Sequence, residues 1–276
     1  MNWCPLINHT QYTILQSTLD IKLLVEQSQT YNYKSIGISD SGNLHGHIDF
    51  HYACQKHDMK PIYGMQIHIA PLEMSIKQKI DGLPHYYSLY LIAQTKTGWK
   101  NLSLLSSIGI LDGFYYVPRI DIPTLKKHSD GIICICGGEK TYFNRHINDE
   151  QMLHQRISEL KDIFSDRLYF GVTRSNMSNI DAISQEGWLL EKYESYIKHE
   201  KQIENEMVTL SKKLHIPITA INPSFYLNQN DWEAHEILLN VQSGEVVETV
   251  IYDSNGQSVG KTKNAKRTTF PTHSNF

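Results

Sequence analysis

The chain has 276 residues, 40% hydrophobic and 10% aromatic, enough to bury one substantial core or one core with a small appendage. Its 26 lysines and arginines stand against 29 aspartates and glutamates, a net charge of −3, so no global field gathers nucleic acid or an anionic membrane, and any contact with DNA is local. Four cysteines without CxxC spacing suit reduced thiols, no apolar run nears ~18 residues, and residues 1–11 lack a basic region followed by an apolar one, which predicts a cytoplasmic protein with no membrane span.

In chain order, an apolar patch at residues 3–7 precedes Ser17 and Asp20, a capping-box-like start for a helix whose inner face is Ile21, Leu24 and Val25. Residues 35–39 predict a short buried strand ending at Asp40 and Ser41. Gly42 and Asn43 make a turn, and a helix follows to about His57. Residues 60–70, KPIYGMQIHIA, predict a strand with Gly64 at a close approach or bulge and with Gln66 and His68 on one face. An exposed loop over 71–85, a strand over 87–93 and a helix over 99–110 come next. The segment DGFYYVPRID has neither helical nor strand period and predicts a structured loop tucked against the barrel or facing a partner.

Further strands are predicted at 131–136, 167–172 and 216–221, with helices at 150–164, 185–215 and 231–241; Ile203, Met207, Leu210 and Leu214 keep the 3.6 period of the long one. Six or seven strands, each followed by a helix, predict an α/β fold with a parallel sheet closed or nearly closed into a barrel over residues 1–244. Residues 245–276 form a short polar extension with a turn signal at Asn255 and Gly256 and a basic tract of Lys261, Lys263, Lys266 and Arg267.

Fourteen histidines raise the question of a metal. His47 and His51 are four residues apart on a predicted helix, but Asp49 points elsewhere and nothing nearby completes a ligand set. His9 stands alone at the end of the first apolar patch. A phosphoesterase-type site needs several His, Asp and Glu groups converging on two or three ions. No phosphate-cradling glycine loop and no GxSxG elbow occur.

The segments PLINHTQYTILQS, GISDSGNLHGHIDFHYACQKHDMKPIYGMQIHIAP, YYSLYLIAQTKTGWKNL, GFYYVPRID and AHEILLNVQSGE, in that order over about residues 3–250, resemble the amino-terminal PHP domain (polymerase and histidinol phosphatase) of the bacterial DNA polymerase III alpha subunit. The tail DSNGQSVGKTKNAKR resembles the link toward the polymerase palm. The resemblance implies a distorted seven-stranded β/α barrel whose strand ends bind a metal cluster in some members. This sequence departs from that pattern. The family's ligand positions fall on Ile7, His9, Gln16, Ser41, Gln66, Ser88, Gly138, Pro223 and Phe225, and His9 alone keeps a ligand-competent imidazole.

The expected site is therefore vestigial, a pocket of His9, Asp40, Ser41, Gln66, Ser88, Gly138, Pro223 and Phe225, with no catalytic residue, metal or cofactor. Apolar and neutral replacements remove the several kcal/mol that unpaired buried carboxylates and imidazoles would cost. The function implied is a non-catalytic scaffold and docking surface of a replicative polymerase. Its partners would be the remainder of the alpha subunit and a proofreading exonuclease, with DNA met only indirectly. The alternative is a metal-dependent phosphoesterase or 3′–5′ exonuclease using zinc, manganese or magnesium at a reduced site of His9, Asp40 and His68. No carboxylate cluster of the DxD type is present, so these residues do not extend DNA by themselves.

Overall fold

The computed structural model describes residues 3–138, 140–175, 187–244, 246 and 248–263. The predicted helix start at Gln185, together with Lys266 and Arg267 of the basic tract, lies outside them. Helix α1 (Ile21–Thr30) begins where the Asp20 carboxylate accepts from the Lys22 and Leu23 amides, satisfying donors that a helix start leaves open. It is followed by β1 (Ser35–Ser41), α2 (His47–Lys56) and β2 (Lys60–Ile69). Then come β3 (Tyr87–Ala93), α3 (Lys96–Leu111), α4 (Ile122–Lys127), β4 (Ile132–Gly137), α5 (Tyr142–His146) and α6 (Glu150–Phe164). The series closes with β5 (Leu168–Val172), α7 (Gly187–Leu214), β6 (Ile218–Ala220) and α8 (Trp232–Ser243).

The six strands form one sheet in the order β1-β2-β3-β4-β5-β6. The sheet is mixed, which corrects the expectation of an all-parallel one: β3 runs antiparallel to both β2 and β4. The connection over 70–86 carries no helix, so β3 returns beside β2 in the opposite direction, as strands joined without a crossover helix do.

A seventh, irregular stave closes the ring. On one side Gly37 and Ser39 of β1 donate backbone N–H groups to the carbonyls of Pro5 (2.8 Å) and Asn8 (2.9 Å). On the other, His9 donates to Ser224 (2.9 Å) and Ser224 to Ile7 (3.0 Å). The product is a distorted seven-stranded β/α barrel.

Strand alternation sorts the side chains into two layers. Met65, Ile67, Leu89, Leu91, Cys134 and Phe170 face outward into the main core against the helices, while Ile36 and Ile38 pack on α1 and α2. Ile7, Tyr90, Ile92, Ile135 and Ile221 meet inside the barrel. Gly64 is the predicted close approach: a Cβ there would stand 2.5 Å from Ser39 Oγ. The segment after α3 is anchored by Arg119, which is 2% exposed and donates to the carbonyls of Gly113 (3.3 Å), His85 (3.1 Å) and Ile76 (3.0 Å). Past Gly244, β7 (Glu248–Tyr252) and β8 (Ser258–Lys263) make a two-stranded antiparallel hairpin outside the barrel sheet.

Candidate functional site

The carboxyl ends of β1, β2, β4 and β5 and the start of β3 open onto a cavity of about 130 Å³, where β/α barrels place their chemistry. Gln16, Ser41, Gln66, His68, Ser88, Gly138, Pro223 and Phe225 all line it. The structure thus gathers most of the positions singled out from sequence. His68 is 3% exposed. Its Nε2 shares a hydrogen bond of 2.9 Å with Ser41 Oγ, its Nδ1 lies 3.4 Å from Ser88 Oγ, and its ring meets Tyr86 at 4.4 Å. The two hydroxyls occupy both ring nitrogens, and burial drives the imidazole's pKa down to about 3.

His9 and Asp40 are not among the cavity's lining residues. His9 is fully buried, stacked on Phe225 at 4.4 Å and 6°, with Tyr90 tilted against it at 6.0 Å. Among the described residues neither ring nitrogen has a hydrogen-bonding partner, and burial holds the ring neutral, with a pKa lowered to about 3. Asp40 alternates with Ser41 and so points to the opposite face of β1. There its carboxylate accepts from Thr10 N (2.6 Å), Thr10 Oγ1 (2.8 Å) and Thr13 Oγ1 (2.7 Å). Burial raises its pKa and these three bonds pull against the rise. Ile7 packs with the apolar residues inside the barrel.

Gly138 has φ +79° and abuts Tyr90, so that a Cβ would lie 3.3 Å from the ring. Gln16 contributes its carbonyl, which accepts from His235 Nε2 at 2.8 Å. The histidines of α2 are taken up by the fold. His47 Nε2 donates to the Gly64 carbonyl (3.0 Å) and its Nδ1 accepts from Trp99 Nε1 (3.2 Å), while His51 Nδ1 pairs with Tyr63 Oη (2.7 Å) and Asp49 accepts from Tyr12 Oη (2.5 Å). Among the described residues no group of three or more His, Cys, Asp or Glu is arranged to hold a metal ion.

Sequence reasoning missed the outer wall of the cavity. Tyr86, Tyr90, Lys140, Asn144 and Asn222 line it, and α7 lies across it with His199, Glu200, Ile203, Glu204 and Met207. Glu200 ties α7 to the end of β5, accepting from Thr173 Oγ1 (2.9 Å) and from Ser175 N (2.9 Å) and Oγ (3.1 Å). Lys140 Nζ donates to Tyr86 Oη at 3.0 Å. Tyr90 was findable, two residues beyond Ser88 on the same strand face. The long-range contacts of α7 left no mark in the local pattern.

No helix among the described residues is long and apolar enough to cross a membrane. The DNA polymerase III alpha subunit of Chlamydia muridarum is 35% identical over 274 residues, covering 98% of this chain and 22% of that protein. That of Aquifex aeolicus is 30% identical over 248 residues, covering 87% and 20%. The chain spans about a fifth of the length of these relatives. A solved amidohydrolase from Chromobacterium violaceum overlaps 71% of this chain and 84% of its own at 7% identity and a TM-score of 0.40. Residues 6–175, more than half of the sequence, match the PHP domain, and the chain belongs to that family.

Proposed function

We propose that this chain is a metal-free, non-catalytic PHP barrel that serves as scaffold and docking surface within a cytoplasmic replicative DNA polymerase III alpha subunit. The observation that carries this reading is the chemistry of the pocket. Ile7, Gly138, Pro223 and Phe225 offer no side-chain ligand atom, and Gln16, Ser41, Gln66 and Ser88 carry neutral amides and hydroxyls in place of the imidazoles and carboxylates that hold a catalytic ion. The other candidates are held by neighbours: His68 by Ser41 and Ser88, Asp40 by Thr10 and Thr13, His9 by its stack on Phe225, and on α7 Glu200 by Thr173 and Ser175 and Glu204 by Arg174. Together with His199 they form no group of three that could hold a metal ion among the described residues. The residues present do not fit a metal cluster, so no hydrolytic step is assigned to them.

The near-complete coverage of this chain by polymerase III alpha relatives supports the replicative setting. The partners of such a unit are the remainder of the alpha subunit and a proofreading exonuclease, with DNA reached only through them. Elemental analysis of the purified 276-residue chain, paired with a phosphodiester hydrolysis assay in added manganese, tests the proposal. The expected result is substoichiometric metal and no turnover. Stoichiometric zinc, manganese or iron that survives dialysis would sink it.

A further inference from the structure

The opposite end of the barrel holds a larger cavity, about 890 Å³ and open to solvent. Its floor is the inside of the barrel mouth: Leu6, Ile62, Ile92, Ile133, Ile135 and Tyr169, from the closing stave and the strand ends far from the vestigial pocket. Its rim is cationic. Lys60, Lys96 and Lys100 line it, no aspartate or glutamate does, and Trp99 stands among them 38% exposed. The 16-residue helix α3 also starts at this rim. Thr95 and Lys96 of that start line the cavity, and Thr95 Oγ1 accepts from Gly98 N, so the positive end of the helix lies beside the mouth.

Three lysines and a helix start around one apolar mouth favour a ligand that is apolar at its tip and anionic at its shoulders. We infer that this mouth is a docking site for an acidic peptide segment with one or two bulky apolar anchors, supplied from outside these 276 residues. The anchor would fill the floor and its flanking carboxylates would meet Lys60, Lys96 and Lys100. A peptide suits the shape better than a free amphiphile. Beside the mouth Ile48 and Trp99 remain 60% and 38% exposed, apolar surface that the flanking residues of a peptide would cover. The inference deepens the docking part of the proposed role and does not depend on the metal-free pocket, since peptide binding and elemental content are read separately.

Fluorescence anisotropy with three labelled probe peptides, EELFEE, KKLFKK and EEGSEE, decides the matter on the full chain. EELFEE is expected to bind saturably, more weakly as salt rises, and the other two to fail. Lys96→Glu with Lys100→Glu should weaken EELFEE by about tenfold or more. Lys96→Arg with Lys100→Arg should keep the affinity, and circular dichroism should show both variants folded. Equal binding of KKLFKK, affinity unchanged by charge reversal, or no saturation by EELFEE overturns the proposal. Dodecanoate occupying the mouth while EELFEE does not would overturn it in favour of a free amphiphile.

Discussion

His9, His47 and His68 are buried imidazoles that the fold keeps neutral. In an unfolded chain each titrates near 6.5, whereas burial lowers the pKa to about 3 for His9 and His68 and to about 4 for His47. Because the folded values lie below the unfolded ones, the stability they permit is whole above about pH 6.5. It drains as pH falls toward 3–4, because the unfolded chain takes up protons that the fold refuses. Each imidazole contributes about 1.4 kcal/mol per pH unit inside that window, so the three together remove up to roughly 4 kcal/mol between about pH 6 and 5. Asp40 works in the opposite sense: its pKa is raised, so protonating it at lower pH relieves a buried charge. Urea unfolding at about pH 7, 6 and 5 should show the loss. His9→Phe, which extends the stack on Phe225, should reduce the slope by at most about one third, since burial also lowers the pKa of His146 and His235. An unchanged slope would mean that His9 titrates normally.

The closing stave depends on glycine at 37. A Cβ there would sit 2.5 Å from the Leu6 carbonyl oxygen and 2.9 Å from its Cα, so any larger residue pushes residues 5–9 off β1 and takes Ile7 and His9 with them. Gly37→Ala should therefore cost about 1–3 kcal/mol in chemical denaturation through steric displacement. Gly82→Ala, at φ +77° with nothing within 4 Å, should cost only about 1 kcal/mol from backbone strain. Equal losses would show that the closure is loose. Arg119 plays a comparable part for the loop over 71–86, since its fork serves two carbonyls of that loop, Ile76 and His85, and a third at Gly113 after α3. Arg119→Lys cannot span them and should cost about 2–3 kcal/mol, with faster proteolysis in that loop than in the parent chain as the readout.

Much of this layer is legible in the sequence. The predicted strand over 87–93 and helix over 150–164 match β3 and α6 to the residue, the latter because the Asp149 carboxylate caps the Met152 amide. Strand direction is not encoded in the apolar pattern of 60–70 and 87–93; the signal lay in the helix-free loop between them. The predicted strand over 216–221 shortens to Ile218–Ala220: at its start the Ile216 N–H is spent on the Ser211 carbonyl of α7 (3.2 Å) and Pro217 has no N–H to give the ladder. The face of Asp40 follows from alternation with Ser41. The roof of α7 over the cavity does not, since it is a contact between segments far apart in sequence.

At the scale of the whole molecule, the barrel is held by backbone closure and by the packing of its own side chains. Backbone hydrogen bonds on both flanks of residues 5–9 close the ring and the apolar cluster of Ile7, Tyr90, Ile92, Ile135 and Ile221 fills it, while Ser41 and Ser88 pair with His68 at the strand ends. A metal bound to the fold and not to the unfolded chain would add about 2.7 kcal/mol of stability at a hundredfold excess over its dissociation constant. At about 2–4 °C per kcal/mol for a domain of this size, that is a rise of roughly 5–10 °C. Thermal unfolding in chelator, in zinc and in manganese should therefore give the same midpoint. A midpoint that falls in chelator and recovers with one of these ions would show that the pocket still carries a working ligand set, and would shift the reading from scaffold to enzyme.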